Sequence, residues 1–187
     1  DEGRLALRVT ARRLSADTIH VEAREAATAP PSPPLVEAIA VVADTWPTPP
    51  AVGPFALRNA RPSRWTPERL YAEGMFHGPS LRGVASVDRW GEDGMEATLV
   101  ALPVEGLLRS DPAPCFVTDP VLLDAAGQVI GYWAAEHLPT GFNVFPYAVE
   151  ALDLYGPPLA PPARATCRAR IALVGDAELD EADRLTE

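Results

Sequence analysis

Residues 119–136 read DPVLLDAAGQVIGYWAAE, and this stretch decides the fold. Asp119 suits a helix N-cap and Pro120 the first helical position, where neither a missing N–H nor a fixed φ costs anything. Beyond the proline the stretch is apolar nearly all round: Val121, Leu122, Leu123, Ala125, Ala126, Val129, Ile130, Trp133, Ala134 and Ala135. A helix without a polar face is expected to be buried on all sides or to lie in a membrane. Asp124, Gln128 and Gly131 interrupt the run, which is too short to span a bilayer. A core helix with one carboxylate in its middle is therefore predicted. Asp124 and Gln128, four apart, share a face and lie within reach of each other. Desolvation in such a site favours the protonated carboxyl, so Asp124 is a candidate proton donor. A structural hydrogen bond would call for the same residue type.

The rest of the chain shows what this helix packs against. Residues 81–89 and 95–102 alternate around Gly91-Glu92-Asp93-Gly94, which predicts a hairpin. Residues 142–149, 152–155 and 164–173 are read as further strands, with Pro157-Pro158 and Pro161-Pro162 marking the loop before the last. A short helix is expected over 66–73, with Thr66 as its cap. One buried helix among many antiparallel strands is an α+β arrangement, a sheet wrapped around a central helix. Near the start, Leu5, Leu7 and Val9 alternate, as do Ile19, Val21 and Ala23, with Ser15-Ala16-Asp17 between them. That predicts a second hairpin, with His20 turned away from its apolar side. Residues 35–43 are an apolar run whose periodicity fits a strand or a short helix. Proline-rich stretches flank it, at 30–34 and 46–54. The expected division is a hairpin remnant over 1–28, a proline-rich linker over 29–62, a compact domain over 63–175 and an acidic tail over 176–187.

Composition excludes several classes. The 187 residues are enough for a sizeable core, and 47% hydrophobic with 22% charged content is that of a globular chain. The formal net charge is −10, and every basic residue other than the three histidines is Arg. That balance disfavours nucleic acid and anionic membranes as partners. Cys115 and Cys167 are far apart with no Cys-x-x-Cys, so neither a metal site nor a disulfide framework is indicated. No signal peptide or transmembrane run is seen. The chain opens on Asp1 inside strand-like sequence, which reads as a piece of something larger.

Two motifs carry a family resemblance. Val121 to Gln128, VLLDAAGQ, resembles the Leu-Asp-x-x-x-Gln segment of polyketide synthase dehydratase domains. Residues 71–83, YAEGMFHGPSLRG, are similar to that family's Gly-Tyr-x-Tyr-Gly-Pro-x-Phe loop and precede the Asp segment by the expected distance. The resemblance covers residues 65–173. It implies a hotdog fold, in which two sheet-wrapped helices sit side by side, a catalytic His coming from the first and a catalytic Asp from the second. This chain would be the second hotdog with a remnant of the first. Met75 and His77 stand where the family usually has tyrosines, Leu81 replaces its Phe, and Thr118-Asp119-Pro120 replaces the commoner His-Pro. Phe76-His77-Gly78-Pro79 is similar to versions found in iterative synthases.

The resemblance also implies a reaction, the loss of water from a β-hydroxyacyl thioester. Asp124 would be the general acid and Gln128 would orient it or hold the departing hydroxyl. Tyr71, Met75, Phe76, His77, Gly78, Pro79 and Leu81 would line the acyl tunnel, and the base would come from the other hotdog. No cofactor is implied beyond the phosphopantetheine arm of an acyl carrier protein. The implied partners are that carrier, the N-terminal hotdog, the other domains of a cytoplasmic synthase and a second copy in a homodimer. A product-template or cyclase-like domain, or a docking and dimerisation module, would share the fold; the former more often has His where Gln128 stands. The segment His137-Leu138-Pro139-Thr140-Gly141-Phe142-Asn143-Val144-Phe145-Pro146 matches the family's His-x-x-x-Gly-x-x-x-x-Pro base motif. It lies after the helix of the wrong repeat and is read as a coincidence.

Overall fold

A computed structural model describes residues 5–27, 33–139 and 144–173. The fold is α+β, with antiparallel sheets and one α-helix, as expected for a hotdog. The chain divides into two compact units, Asp1–Thr48 and Pro49–Glu187. The expected acidic tail, the start of the proline-rich linker and residues 140–143 of the His137 segment lie outside the described residues.

The first unit holds β1 (Leu7–Arg13), β2 (Thr18–Glu25) and β3 (Val36–Val41), hydrogen-bonded in that order and all antiparallel. Ser15 closes the turn, its Oγ accepting from the Thr18 N–H at 3.2 Å. The stretch whose periodicity left strand and helix open is β3, inside the span read as linker. Its β-branched residues pair with β2, Val36 opposite Ala23 and Ala38 opposite Val21. Register puts Val9, Ala23 and Val36 on one face. His20 faces the other way, its Nε2 2.6 Å from Glu37 Oε1.

In the second unit, β4 (Arg61–Pro62), β5 (Val84–Gly91), β6 (Gly94–Val100) and β7 (Arg164–Arg170) form an antiparallel sheet in chain order. The hairpin β5–β6 turns at Gly91-Glu92-Asp93-Gly94 as predicted. Gly94 has φ +154°, and a Cβ there would collide with the Ala169 carbonyl. Met95, Ala97 and Leu99 alternate inward on β6. On β5 two register shifts move the inward positions to Val84 and Val87. The outer face is polar, with Glu96 held by Arg89 at 2.9 Å and Arg168 at 3.0 Å.

Helix α1 (Pro120–His137) lies across the inner face, against β5, β6 and β7. Its N-cap is as predicted: Asp119 Oδ1 accepts from the Val121 and Leu122 N–H groups at 2.8 and 3.1 Å. Val121, Ala125, Val129, Tyr132 and Trp133 form the core with Met95, Ala97 and Leu99. Gly83, just before β5, sits so close to the helix that a Cβ would come 2.7 Å from Ala125 Cβ.

Three expectations are corrected. The helix is not buried all round: Leu123 (47% exposed), Gly127 and Ile130 (41%) form an open stripe at i, i+4 and i+7. A sheet of four strands wraps one side of a helix, and periodicity alone does not say which side. No strand forms over 144–149 or 152–155, where Tyr147, Val149 and Leu152 are exposed and prolines remove ladder donors. The expected short helix is one π-helical turn, Leu70–Gly74, closed by Met75 N–H to the Leu70 carbonyl at 3.0 Å.

Candidate functional site

The wide turn at Leu70–Gly74 drops Leu70 and Met75 into the core and leaves Tyr71 beside the helix. The Met75 thioether fills the space over Gly131, where a Cβ would overlap it. From this anchor the loop runs through His77 to a single 3-10 turn, Pro79–Leu81, and then enters β5. Tight packing at Gly83 presses the start of β5 onto the turn of α1 that carries Asp124 and Gln128. The loop and the helix therefore meet at these two side chains.

Gln128 is at the centre, and it is one of only two buried polar residues among those described. Its Oε1 accepts from the Tyr71 hydroxyl at 2.8 Å, and its Nε2 donates to the Leu81 carbonyl at 2.8 Å and to Asp124 Oδ2 at 2.7 Å. Tyr71 in turn accepts from the Val84 N–H at 2.8 Å. This network allows one orientation of the Gln128 amide, with the oxygen toward Tyr71 and both amide protons used. Burial pushes the Tyr71 phenol up to about 12, the charge of Asp124 adding to the rise and the Val84 hydrogen bond and Arg82 opposing it. Tyr71 therefore remains a proton donor across the physiological range.

Asp124 is more open than the sequence suggested. Its side chain is 39% exposed, because it lies at the margin of the sheet-covered face and Leu123 beside it turns outward. The second group at this carboxylate is His77, whose Nε2 lies 3.4 Å from the same Oδ2. The His77 ring is stacked on Phe76 with centroids 4.6 Å apart, and its backbone carbonyl accepts from Arg82 Nε at 3.0 Å.

The structure thus brings together Asp124, Gln128, Tyr71, His77 and the backbone of Leu81, with Met75 supporting them from the core. Phe76 (82% exposed), Gly78 and Pro79 face outward. A Cβ on Gly78 would meet nothing within 4 Å, whereas one on Gly83 would overlap Ala125, so the tight backbone approach of this segment is at Gly83. Two further groups join the site without having been expected there: Arg82, which braces the His77 carbonyl and lies over the Tyr71 ring at 5.4 Å, and the Val84 N–H. Arg82 was inside the quoted motif; a backbone donor leaves no signal in a sequence.

His137 is held in the last turn of α1. Its Nδ1 lies 3.0 Å from the Trp133 carbonyl, and its ring stacks on Trp133 at 4.1 Å and meets Trp90 edge-on at 4.9 Å. It is roughly 20 Å along the helix from Asp124, at about 1.5 Å per residue. An apolar cleft of about 260 Å³ opens elsewhere, between the first turns of α1 and the 154–159 loop, and its lining includes Leu122, Leu123 and Leu159 but not Asp124. Among the described residues, no three His, Cys, Asp or Glu side chains are grouped as metal ligands would be, and no helix is long and apolar enough to cross a membrane.

The family model described as the polyketide synthase dehydratase N-terminal domain matches residues 47–186. No curated protein and no solved structure matches the chain.

Proposed function

The chain belongs to the polyketide synthase dehydratase family, and from that premise we propose that it supplies the acid half of a dehydratase site. The observation that carries the reading is the hold on Asp124. One carboxylate oxygen is fixed by Gln128, whose own amide is locked by Tyr71 and Leu81, while the side chain stays open to an incoming substrate. The matched model is described as an N-terminal domain; placing this chain as the acid-bearing hotdog rests on Asp124 and Gln128 instead.

The reaction would take a β-hydroxyacyl thioester presented by an acyl carrier protein. A base removes the proton from Cα, the Cα–Cβ double bond forms, and the hydroxyl leaves with the proton of Asp124 as water. Proton return to Asp124 and loss of the proton from the base reset the site. A positioned general acid contributes roughly two to four powers of ten. Gln128 orients Asp124 in this reading and has no amide proton left for the hydroxyl. The base would be the histidine that the family resemblance places in the companion hotdog; in this chain His77 lies against the acid and His137 lies far from it.

Asp124→Asn in the complete dehydratase domain tests this. The substitution keeps the volume and removes the proton. Enoyl product, measured by mass spectrometry of the carrier-bound substrate, should fall by at least about a hundredfold. Turnover at the parent rate would end the assignment. His137→Ala should leave turnover within a few-fold, and its collapse in a folded protein would put a base on this hotdog.

A further inference from the structure

The contact between His77 and Asp124 deepens the proposed dehydratase role and rests on it. Two observations bear on where a neutral imidazole at this position carries its proton. Nε2 faces Asp124 Oδ2 at 3.4 Å, and Nδ1 is buried with no hydrogen-bond partner. A neutral imidazole has one N–H and one lone pair. With the proton on Nδ1, a buried donor would be orphaned and the Nε2 lone pair would face a carboxylate oxygen. With the proton on Nε2, the donor faces an acceptor it can close on and only a lone pair is left without a partner, which is the less costly arrangement. The separation is longer than a formed hydrogen bond, and such contacts in active sites tighten when substrate is bound. The stack on Phe76 and the brace from Arg82 already hold the ring and backbone of His77 for this.

We propose that His77 is a positioning residue for the acid: it donates Nε2–H to Asp124 Oδ2 alongside Gln128, so that the catalytic proton is confined to Oδ1. The oxygen that already receives the Gln128 amide at 2.7 Å becomes an acceptor twice over. A carboxyl whose one oxygen accepts two hydrogen bonds carries its proton on the other. Among the described residues Oδ1 has no protein donor, so the proton points to the open side, where the leaving hydroxyl would be. The function of His77 here is orientation; it does not touch the substrate or abstract the α proton.

The test uses the complete dehydratase domain with a carrier-bound β-hydroxyacyl substrate. His77→Ala should lower kcat about tenfold or more while KM stays within about twofold, because orientation of the acid acts on the chemical step. His77→Gln, whose amide N–H reaches the same oxygen, should recover most of that loss. Imidazole 15N spectra of the unsubstituted domain should show His77 protonated on Nε2 and bare on Nδ1. That last measurement decides the point even if His77→Ala fails to fold. A proton on Nδ1, an unchanged kcat in His77→Ala, or a folded His77→Gln as slow as His77→Ala would overturn the proposal. Asp124→Asn separates the two readings. If it is inactive while His77→Ala is unaffected, only the positioning role fails; if Asp124→Asn turns over normally, the acid assignment fails first.

Discussion

Tyr71 shows how one side chain ties the loop to the helix. Its hydroxyl donates to Gln128 and accepts from the Val84 N–H, so Tyr71→Phe would leave two polar groups without a partner. Unsatisfied buried groups cost about 1–3 kcal/mol each, so thermal melts of Tyr71→Phe should show a loss of about 2–6 kcal/mol for the two together. The pH dependence has a definite sign. The unfolded chain gives up the phenol proton near 10, whereas folding holds it to about 12. Above 10 the unfolded state binds fewer protons than the folded one, so stability falls as pH rises through that window. Between about pH 10 and 12 the melting temperature of the parent should therefore fall more steeply than that of Tyr71→Phe. Equal slopes would mean that Tyr71 is not held protonated by the fold. At this scale the sequence carried half of the site. The spacing of Asp124 and Gln128 put them on one face, and the structure joins them at 2.7 Å. It did not show that Gln128 would be buried and Asp124 open, because periodicity ranks neighbours along a helix and says nothing about where a sheet stops covering it.

Each element can be broken at the point that defines it. Asp119 accepts from two N–H groups at the start of α1, and Asp119→Ala should cost about 1 kcal/mol, read as a lower urea midpoint at unchanged m. Gly83→Ala would drive a methyl into Ala125 and toward the Val121 carbonyl, 3.4 Å away. Neither neighbour can swing aside, so overpacking of about 1–3 kcal/mol is expected. Because Gly83 sits between the loop and the helix, the same change should lower dehydration by more than its stability cost explains. An Ala at Gly83 with parent stability and activity would show that α1 and β5 separate freely. The elements with local signals were legible: the cap and proline of α1, the Gly-flanked hairpin β5–β6, and the alternating β1–β2. Of the strands expected after α1, the last formed as β7, and those over 144–149 and 152–155 did not, because alternation of apolar residues needs a partner ladder. Pro146, Pro157 and Pro158 withhold donors from one, and Tyr147, Val149 and Leu152 between them face outward. The π-helical turn at Leu70–Gly74 has no signature in the sequence, since five residues cannot distinguish an i+4 from an i+5 bond.

For the molecule as a whole, the central question is what covers its apolar surfaces. In the first unit, Leu7, Val9, Val21, Ala23, Val36 and Ala38 share one face of a three-stranded sheet, and no helix among the described residues of that unit lies on it. Such a sheet normally needs a second layer. In the second unit, the stripe of Leu123, Gly127 and Ile130 is open beside the acid. Contiguous apolar patches larger than a few hundred Å² seldom stay exposed on monomers. The reading as one half of a paired hotdog accounts for both surfaces, each taken within its own unit, since a companion domain would supply a covering layer. The chain by itself is therefore expected to self-associate, most simply as a twofold dimer, or to be only marginally stable. Without the companion's base it should release no enoyl product from a carrier-bound β-hydroxyacyl thioester, even where Asp124 is correctly held. Light scattering and the product assay on one preparation address both expectations. Addition of the companion hotdog should abolish self-association and restore turnover together, because the same contact covers the surface and completes the site. A monomer that is stable and active by itself would refute the half-site reading, and His77 would then be the first base to test.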